Sequence, residues 1–224
     1  MKRISTLLGG AIALLMVGLA PAMAQSPTFY IGAHGGKSIA TSELTADGAP
    51  GFSLDGLGSN GYIGGVHAGV DIALGRGDGL VPFAGVFGGY SWQNTQFTIT
   101  DGVDSFDMTL GNSLFGGGRI GVISSGGAKY YVLAAYRQTE LGFSVADLTS
   151  PNLKGWDLGL GVDIPVTRNI SVGLEGIWTK YAKEEILFGG VGTDLFQQTD
   201  QIAVTARLNI AFGGALETKA APLK

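Results

Sequence analysis

Residues 201–212 read QIAVTARLNIAF, and this stretch decides the fold. Ile202, Val204, Ala206, Leu208, Ile210 and Phe212 share one parity, while Ala203, Thr205, Arg207, Asn209 and Ala211 share the other. Side chains of an extended strand alternate between its two faces, so one face is apolar over its whole length and the other holds an arginine. An apolar face of about ten residues is the length a tilted strand needs to cross a bilayer.

Working outward, the N-terminus reads as an address. Lys2 and Arg3 precede an apolar run from Ile4 to Ala20, and Ala22-Met23-Ala24 offers a small-residue cleavage site. This predicts a secretion signal over residues 1–24 and a mature start at Gln25. The leader holds two of the 14 bases and none of the 18 acids, so the remaining chain carries 12 bases against 18 acids, a net charge of −6. That balance gives no electrostatic footprint for nucleic acid. The chain has no cysteine, which excludes a disulfide framework, thiolate metal sites and a cysteine nucleophile.

The composition is apolar, yet after the leader no run of 18 apolar residues occurs. A membrane-spanning reading therefore cannot be helical. Closed barrels are the other spanning solution, because hydrocarbon offers no partner to an unpaired backbone group. With 39 glycines, the chain is also a poor helix former.

Eight strands are expected, over 28–37, 61–74, 80–93, 109–123, 129–141, 155–166, 169–182 and 199–212. The connections 75–79, 124–128 and 165–168 are short and carry turn residues. The connections 38–60, 94–108, 142–154 and 183–198 are long and polar. Short turns at one rim and long loops at the other are the pattern of an eight-stranded antiparallel up-and-down transmembrane β-barrel. The barrel is expected over residues 25–212, with a short tail over 213–224 and both termini on the periplasmic side.

Alternation assigns faces in three further strands. Trp156, Leu158, Leu160, Val162 and Ile164 are expected to face lipid, as are Ile170, Val172, Leu174, Gly176 and Trp178, and Val66, Ala68, Val70 and Ile72. The third strand is undecided, because Phe83 and Phe87 oppose Val86, Tyr90 and Trp92. Trp92, Trp156 and Trp178 fall toward the long-loop rim, and Phe29, Phe83, Tyr130 and Phe212 toward the short-turn rim. Two aromatic girdles are what membrane interfaces select.

FYIGAHGG (29–36), GYIGGVHAGVDIALG (61–75), VPFAGVFGGYSW (81–92) and RLNIAF (207–212) resemble the small eight-stranded outer-membrane barrels grouped with the OmpA transmembrane domain and the opacity proteins. The resemblance implies an outer-membrane location, insertion by the barrel-assembly machinery, and a structural or surface-contact role without a cofactor. Ile210 and Phe212 resemble the hydrophobic and aromatic positions of the family's C-terminal assembly signal, from which this chain departs by lacking the usual glycine. Twelve residues, GGALETKAAPLK, follow Phe212, so the cell-wall tether of larger relatives is not expected.

The interior faces carry Asp71, Arg119, Arg137, Asp157, Asp163, Glu175 and Arg207. Buried charges are costly unless paired, and an eight-stranded barrel has room for side chains but not for a wide pore. These seven residues are expected to form an ion-pair network that plugs the lumen, the alternative being a narrow, gated path for ions or small solutes. His34 and His67 face inward on neighbouring strands and are read as interior polar residues, since a third metal ligand is missing. No serine, histidine and acid spacing points to catalysis. Arg76-Gly77-Asp78 reads as turn chemistry. Glu43, Asp47, Asp55, Asp101, Asp104 and Asp107 make the first two long connections acidic, so any surface ligand is expected there. Outer-membrane lipid and lipopolysaccharide are the surrounding partners expected of a monomer.

Overall fold

The structure is a computed structural model that describes residues 27–46, 53–75, 77, 79–100, 105–143, 148–149, 152–188 and 191–213. The expected signal and its cleavage site, the expected tail beyond Gly213, and Arg76, Asp78, Asp47, Asp101 and Asp104 lie outside those residues.

The described residues form ten strands: β1 Thr28–Ala46, β2 Ser53–Ala73, β3 Val81–Thr100, β4 Ser105–Ile123, β5 Lys129–Phe143, β6 Leu148–Thr149, β7 Leu153–Pro165, β8 Ile170–Tyr181, β9 Glu184–Phe188 and β10 Val191–Phe212. Eight of them, β1, β2, β3, β4, β5, β7, β8 and β10, form an antiparallel cylinder in chain order. It closes where β10 pairs with β1 from Phe29–Phe212 to Ala46–Leu195. The two short strands extend the hairpin end, with β9 on β10 and β6 on β9.

The register fixes the geometry of closure. A circuit from Thr28 through Asp71, Gly85, Arg119, Leu133, Gly159, Ile177 and Ala203 returns to β1 at Ser38, ten residues further on. A stagger of ten over eight strands, with ordinary strand rise and spacing, tilts the strands by about 41° and gives a backbone radius of about 8 Å. Such a cylinder has room for interlocked side chains and little else.

All eight expected barrel strands are present, and their short-turn ends agree within a residue or two. The hairpin ends differ. Most of 38–60 and 94–108, expected as loops, continues as ladder: β1 runs to Ala46, β2 begins at Ser53, β3 runs to Thr100 and β4 begins at Ser105. In that part of β1 the inward residues are Ser38, Ala40 and Ser42, and the outward ones include Thr41 and Glu43. Beyond the membrane neither face needs to be apolar, so the alternation fades while the backbone pairing persists.

The third strand's faces are settled. Phe83 is buried in the lumen, 1% exposed. Trp92 faces outward and Phe87 shares the inward parity of Phe83. Phe83 is therefore a core residue and not a member of the short-turn girdle. The other expected interface aromatics, Trp92, Trp156, Trp178, Phe29, Tyr130 and Phe212, are exposed on the outer wall. At about 2.5 Å of height per tilted residue, the tryptophans stand about 20 Å above Phe29 and Phe212. Between them lie exposed Leu160, Leu174, Val132, Ile120 and Leu208. This is an apolar belt of membrane dimensions with its aromatic borders.

The short turns close with local hydrogen bonds. Ser124 N donates to Ala128 O at 2.8 Å, and Gly127, at φ 81°, takes the left-handed position that turn needs. Thr167 Oγ1 accepts from the backbone N–H groups of Asn169 and Ile170.

Candidate functional site: the barrel lumen

The lumen is filled in layers. Nearest the short turns, Ala73, Phe83, Ile123, Tyr131 and Leu133 pack as an apolar layer. Above and among them lies the first ionic cluster. Arg119 Nη2 and Nε donate to the two carboxylate oxygens of Asp71 at 2.8 and 3.0 Å, and Arg119 Nη1 donates to Asp163 at 3.1 Å. Lys129 Nζ donates to the same Asp71 at 2.5 Å. The Arg119 guanidinium also lies 4.5 Å from the Tyr30 ring centroid and 4.7 Å from that of Tyr131. Flat cations held over aromatic faces recover part of the attraction lost with water.

A second cluster sits higher. Arg207 pairs with Glu175, and Tyr131 Oη donates to the same carboxylate at 2.9 Å. A third joins Arg137 to Asp157 through Nε and Nη2, the latter at 2.7 Å, with Thr179 Oγ1 donating to Asp157 at 2.7 Å. Arg137 also faces the Phe115 ring at 4.9 Å. All seven charged residues expected in the lumen are there, each in an ion pair. Adding Lys129 makes four cations against four anions, so the ion-paired side chains of the lumen balance among the described residues.

His34 and His67, inward on neighbouring strands, come together, a contact that the sequence left open. They join a chain of polar contacts running along the axis. Ser91 Oγ lies 3.0 Å from His34 Nε2, His34 Nδ1 lies 3.2 Å from His67 Nδ1, and His67 Nε2 lies 2.6 Å from Asn209 Oδ1. One proton arrangement satisfies every link. His67 donates from Nε2 to the Asn209 carbonyl oxygen, accepts at Nδ1 from His34, and His34 accepts at Nε2 from the Ser91 hydroxyl. Each ring then carries a single proton. Among the described residues no group of three metal-ligating side chains occurs, and the histidines are occupied with each other.

Above the charges, five side chains from five strands close a ring. Gln93 Nε2 donates to Ser113 Oγ at 3.2 Å, Ser113 and Thr139 hydroxyls are 2.8 Å apart, and Thr139 and Tyr181 hydroxyls 2.9 Å. Tyr181 Oη donates to Gln201 Oε1 at 3.1 Å, and Gln201 Nε2 donates back to Gln93 Oε1 at 2.8 Å. On top of this ring Ala40, Phe97, Met108, Leu110 and Leu153 form an apolar cap with Tyr181. Between ring and lower charges a cavity of about 20 Å³ remains, bordered by His34, His67, Phe115, Arg137 and Arg207. That is space for about one water molecule, far less than a hydrated ion requires.

Lys129, Tyr131, Ser91, Asn209 and the members of the ring were not singled out by the sequence. Their partners lie on strands 20 to 142 residues away in sequence. Only the stagger of the closed cylinder determines which inward residue meets which.

A closed, neutral, side-chain-filled lumen inside an apolar belt defines a small transmembrane β-barrel of the outer-membrane type. No family model matches the chain, and no curated protein matches it. Among solved structures, it is similar to Neisserial surface protein A at 14% identity, covering 82% of this chain and 97% of that one, with a TM-score of 0.47. It is similar to the outer membrane protein OprG from Pseudomonas aeruginosa at 12% identity, over 84% and 97% of the two chains, with a TM-score of 0.47. The outer membrane protease OmpT from Escherichia coli matches at 10% identity over 83% and 97%, with a TM-score of 0.42. The barrel assignment rests on the closed strand ladder itself.

Proposed function

We propose that this protein is a non-conducting, non-catalytic barrel of the outer membrane, with its short turns on the periplasmic side, that supports the envelope and carries its long hairpins outward as a contact surface. The observation that carries this reading is the closure of the lumen at successive levels: two apolar layers, paired charges, and a ring of hydrogen-bonded amides and hydroxyls. Every lumen charge has a counter-charge, so none is left to attract a permeant ion. The hairpins extend the ladder well past the tryptophans, and stiff hairpins suit presentation of a surface more than flexible loops do.

The test is single-channel recording in planar bilayers with the purified, heat-modifiable protein. The expected outcome is a silent membrane, for the wild type and for Arg137→Met alike, because the ring and the apolar cap remain above the altered layer. Reproducible, charge-selective openings in the wild type that shift when Arg119 or Arg207 is neutralised would replace this reading with that of a narrow channel.

A further inference from the structure

Above the girdle the outer wall changes character around the barrel. From β5 round to β10 the outward residues there include the charged Glu140, Lys154, Lys180 and Asp200. On β2 and β3 they are amides. Asn60 and Gln96 are register partners, and directly below them Tyr62 is the register partner of Asn94. All four side chains are exposed on the outer face. Trp92, the next outward residue below Asn94, is also exposed, and its ring meets that of Tyr90 edge-on at 5.4 Å.

The square of Asn60, Gln96, Tyr62 and Asn94 carries no charge. Register partners stand about 4.5–5.5 Å apart at their β-carbons, and successive outward residues of one strand about 7 Å. That spacing lets two amides reach hydroxyls of one sugar ring. Gln93 and Gln201 bond each other in the lumen, and Asn112 bonds Glu140, but the side chains of Asn60, Asn94 and Gln96 have no hydrogen-bond partner among the described residues. The charged residues at the border of the square are of opposite sign. Lys37, the register partner of Tyr62, holds its Nζ 5.6 Å from the centroid of that ring, and Asp107 stands diagonal to Gln96. The patch is therefore built to select by hydrogen bonds and not by charge. An amide offers donors and an acceptor together, which is what a ligand rich in hydroxyls and free of charge requires.

We propose that Asn60, Asn94 and Gln96, with Tyr62 and Trp92, form a docking site for the uncharged sugar headgroup of a glycolipid in the surrounding leaflet. This deepens, and rests on, the reading of the long hairpins as an outward contact surface. The amides exchange hydrogen bonds with the sugar hydroxyls, and the exposed rings take its C–H face. The position of the patch selects a sugar borne on a lipid. At about 2.5 Å of height per tilted residue, Asn94 and Gln96 stand about 5 and 10 Å above Trp92, in and just above the headgroup layer that borders the hydrocarbon. Their side chains point sideways from the wall, along the membrane surface.

The experiment places the full-length folded protein in phosphatidylcholine vesicles that also hold galactosyl diacylglycerol or, in parallel, phosphatidylglycerol, with retained lipid counted by native mass spectrometry. The galactosyl lipid should be retained over both of the others, and Asn94→Ala and Gln96→Ala should each weaken its retention about fivefold, the worth of one net hydrogen bond. Trp92→Ala should weaken it as well, whereas Trp178→Ala, in the same girdle across the barrel, should leave it unchanged. Added salt should make no difference, because no ion pair is involved. Every variant should keep wild-type heat-modifiability in pure phosphatidylcholine, which separates loss of the site from loss of the fold. Both leaflets of the vesicle hold the sugar, so the result does not depend on which way the hairpins face, and failure of the site is told apart from failure of the outward orientation. Equal retention by the wild type and a protein carrying Asn60→Ala, Asn94→Ala and Gln96→Ala together would overturn the proposal. So would preferential retention of phosphatidylglycerol, or displacement of the lipid by free methyl galactoside at matched concentration.

Discussion

Glu175→Ala is the most direct probe of the ionic lumen. Glu175 is 7% exposed and accepts from two donors, Arg207 and the Tyr131 hydroxyl. Truncation leaves Arg207, 6% exposed, with the Tyr131 hydroxyl, 3.2 Å from its Nη1, in place of a carboxylate. It also changes a lumen of four cations and four anions into one with an uncompensated positive charge. Leaving a buried charge unpaired costs about 3–5 kcal/mol, or about two to four orders of magnitude in the folding equilibrium. Removing the stranded cation as well, in Glu175→Ala with Arg207→Met, restores neutrality and fills the space. The remaining cost should then be about 1 kcal/mol, that of a Tyr131 hydroxyl without its partners. The assay is urea-dependent folding into phospholipid vesicles, followed by the shift between boiled and unboiled protein on a gel, for the wild type, both single variants and the double. A Glu175→Ala cost below about 1 kcal/mol, or a double-variant cost equal to the sum of the singles, would refute the reasoning, since the pair would then not be energetically coupled.

The wall gives two further expectations. Leu160 and Leu174 are 67% and 59% exposed and lie midway between the aromatic girdles, so Leu160→Arg and Leu174→Arg should each cost about 2–4 kcal/mol in the same titration; wild-type stability for both would mean that this face does not contact lipid. Gly161→Leu should be destabilising by about 1–3 kcal/mol or more, because even a β-carbon there would lie 2.5 Å from Tyr131 Cζ. Gly176→Ala, on the outer face with nothing within 4 Å of an added β-carbon, should change stability by less than about 0.5 kcal/mol.

The sequence made the membrane part of the fold legible because lipid imposes a strict rule there. Where a strand has hydrocarbon on one side and a packed lumen on the other, the two faces differ sharply, as in Trp156 to Ile164 and Ile202 to Phe212. Turn residues such as Gly127 then bound the strands closely. Above the girdles the rule lapses, and Ser38 to Ala46 read as loop although its backbone is fully paired. The third strand resisted for another reason. Its inward face is aromatic, with Phe83 5.8 Å from the Arg119 guanidinium and Phe87 against Phe115, so hydrophobicity alone could not separate inside from outside. The charged residues themselves were visible, because a base or acid on the apolar-alternating strand has one tolerable direction. Their pairing was not. Arg119 reaches Asp71 and Asp163 from β4 to β2 and β7, contacts set by the ten-residue stagger rather than by any local pattern.

The stagger also explains the abundance of glycine, which in most chains signals turns. Asp71 and Arg119 are each in register with Gly85, which lies on the strand between them. Their ion pair crosses over a residue without a side chain. Tyr131 and Glu175 likewise flank Gly161, and their hydrogen bond passes over it. Arg137 faces Gly155, Arg207 faces Gly173, His34 faces Gly65 and His67 faces Gly32. In a cylinder of about 8 Å radius, large inward residues crowd one another, and each of these has a glycine on at least one side. Glycine beside them gives the long side chains room to lie across the neighbouring strand, and Arg119 and Tyr131 reach partners two strands away. Glycine in these strands is therefore a packing residue. It also makes the closure specific, because shifting one strand by two residues keeps every face correct yet moves the large side chains away from their glycines and separates the ion pairs. The pattern that fills the lumen is thus the same one that holds the register of the barrel.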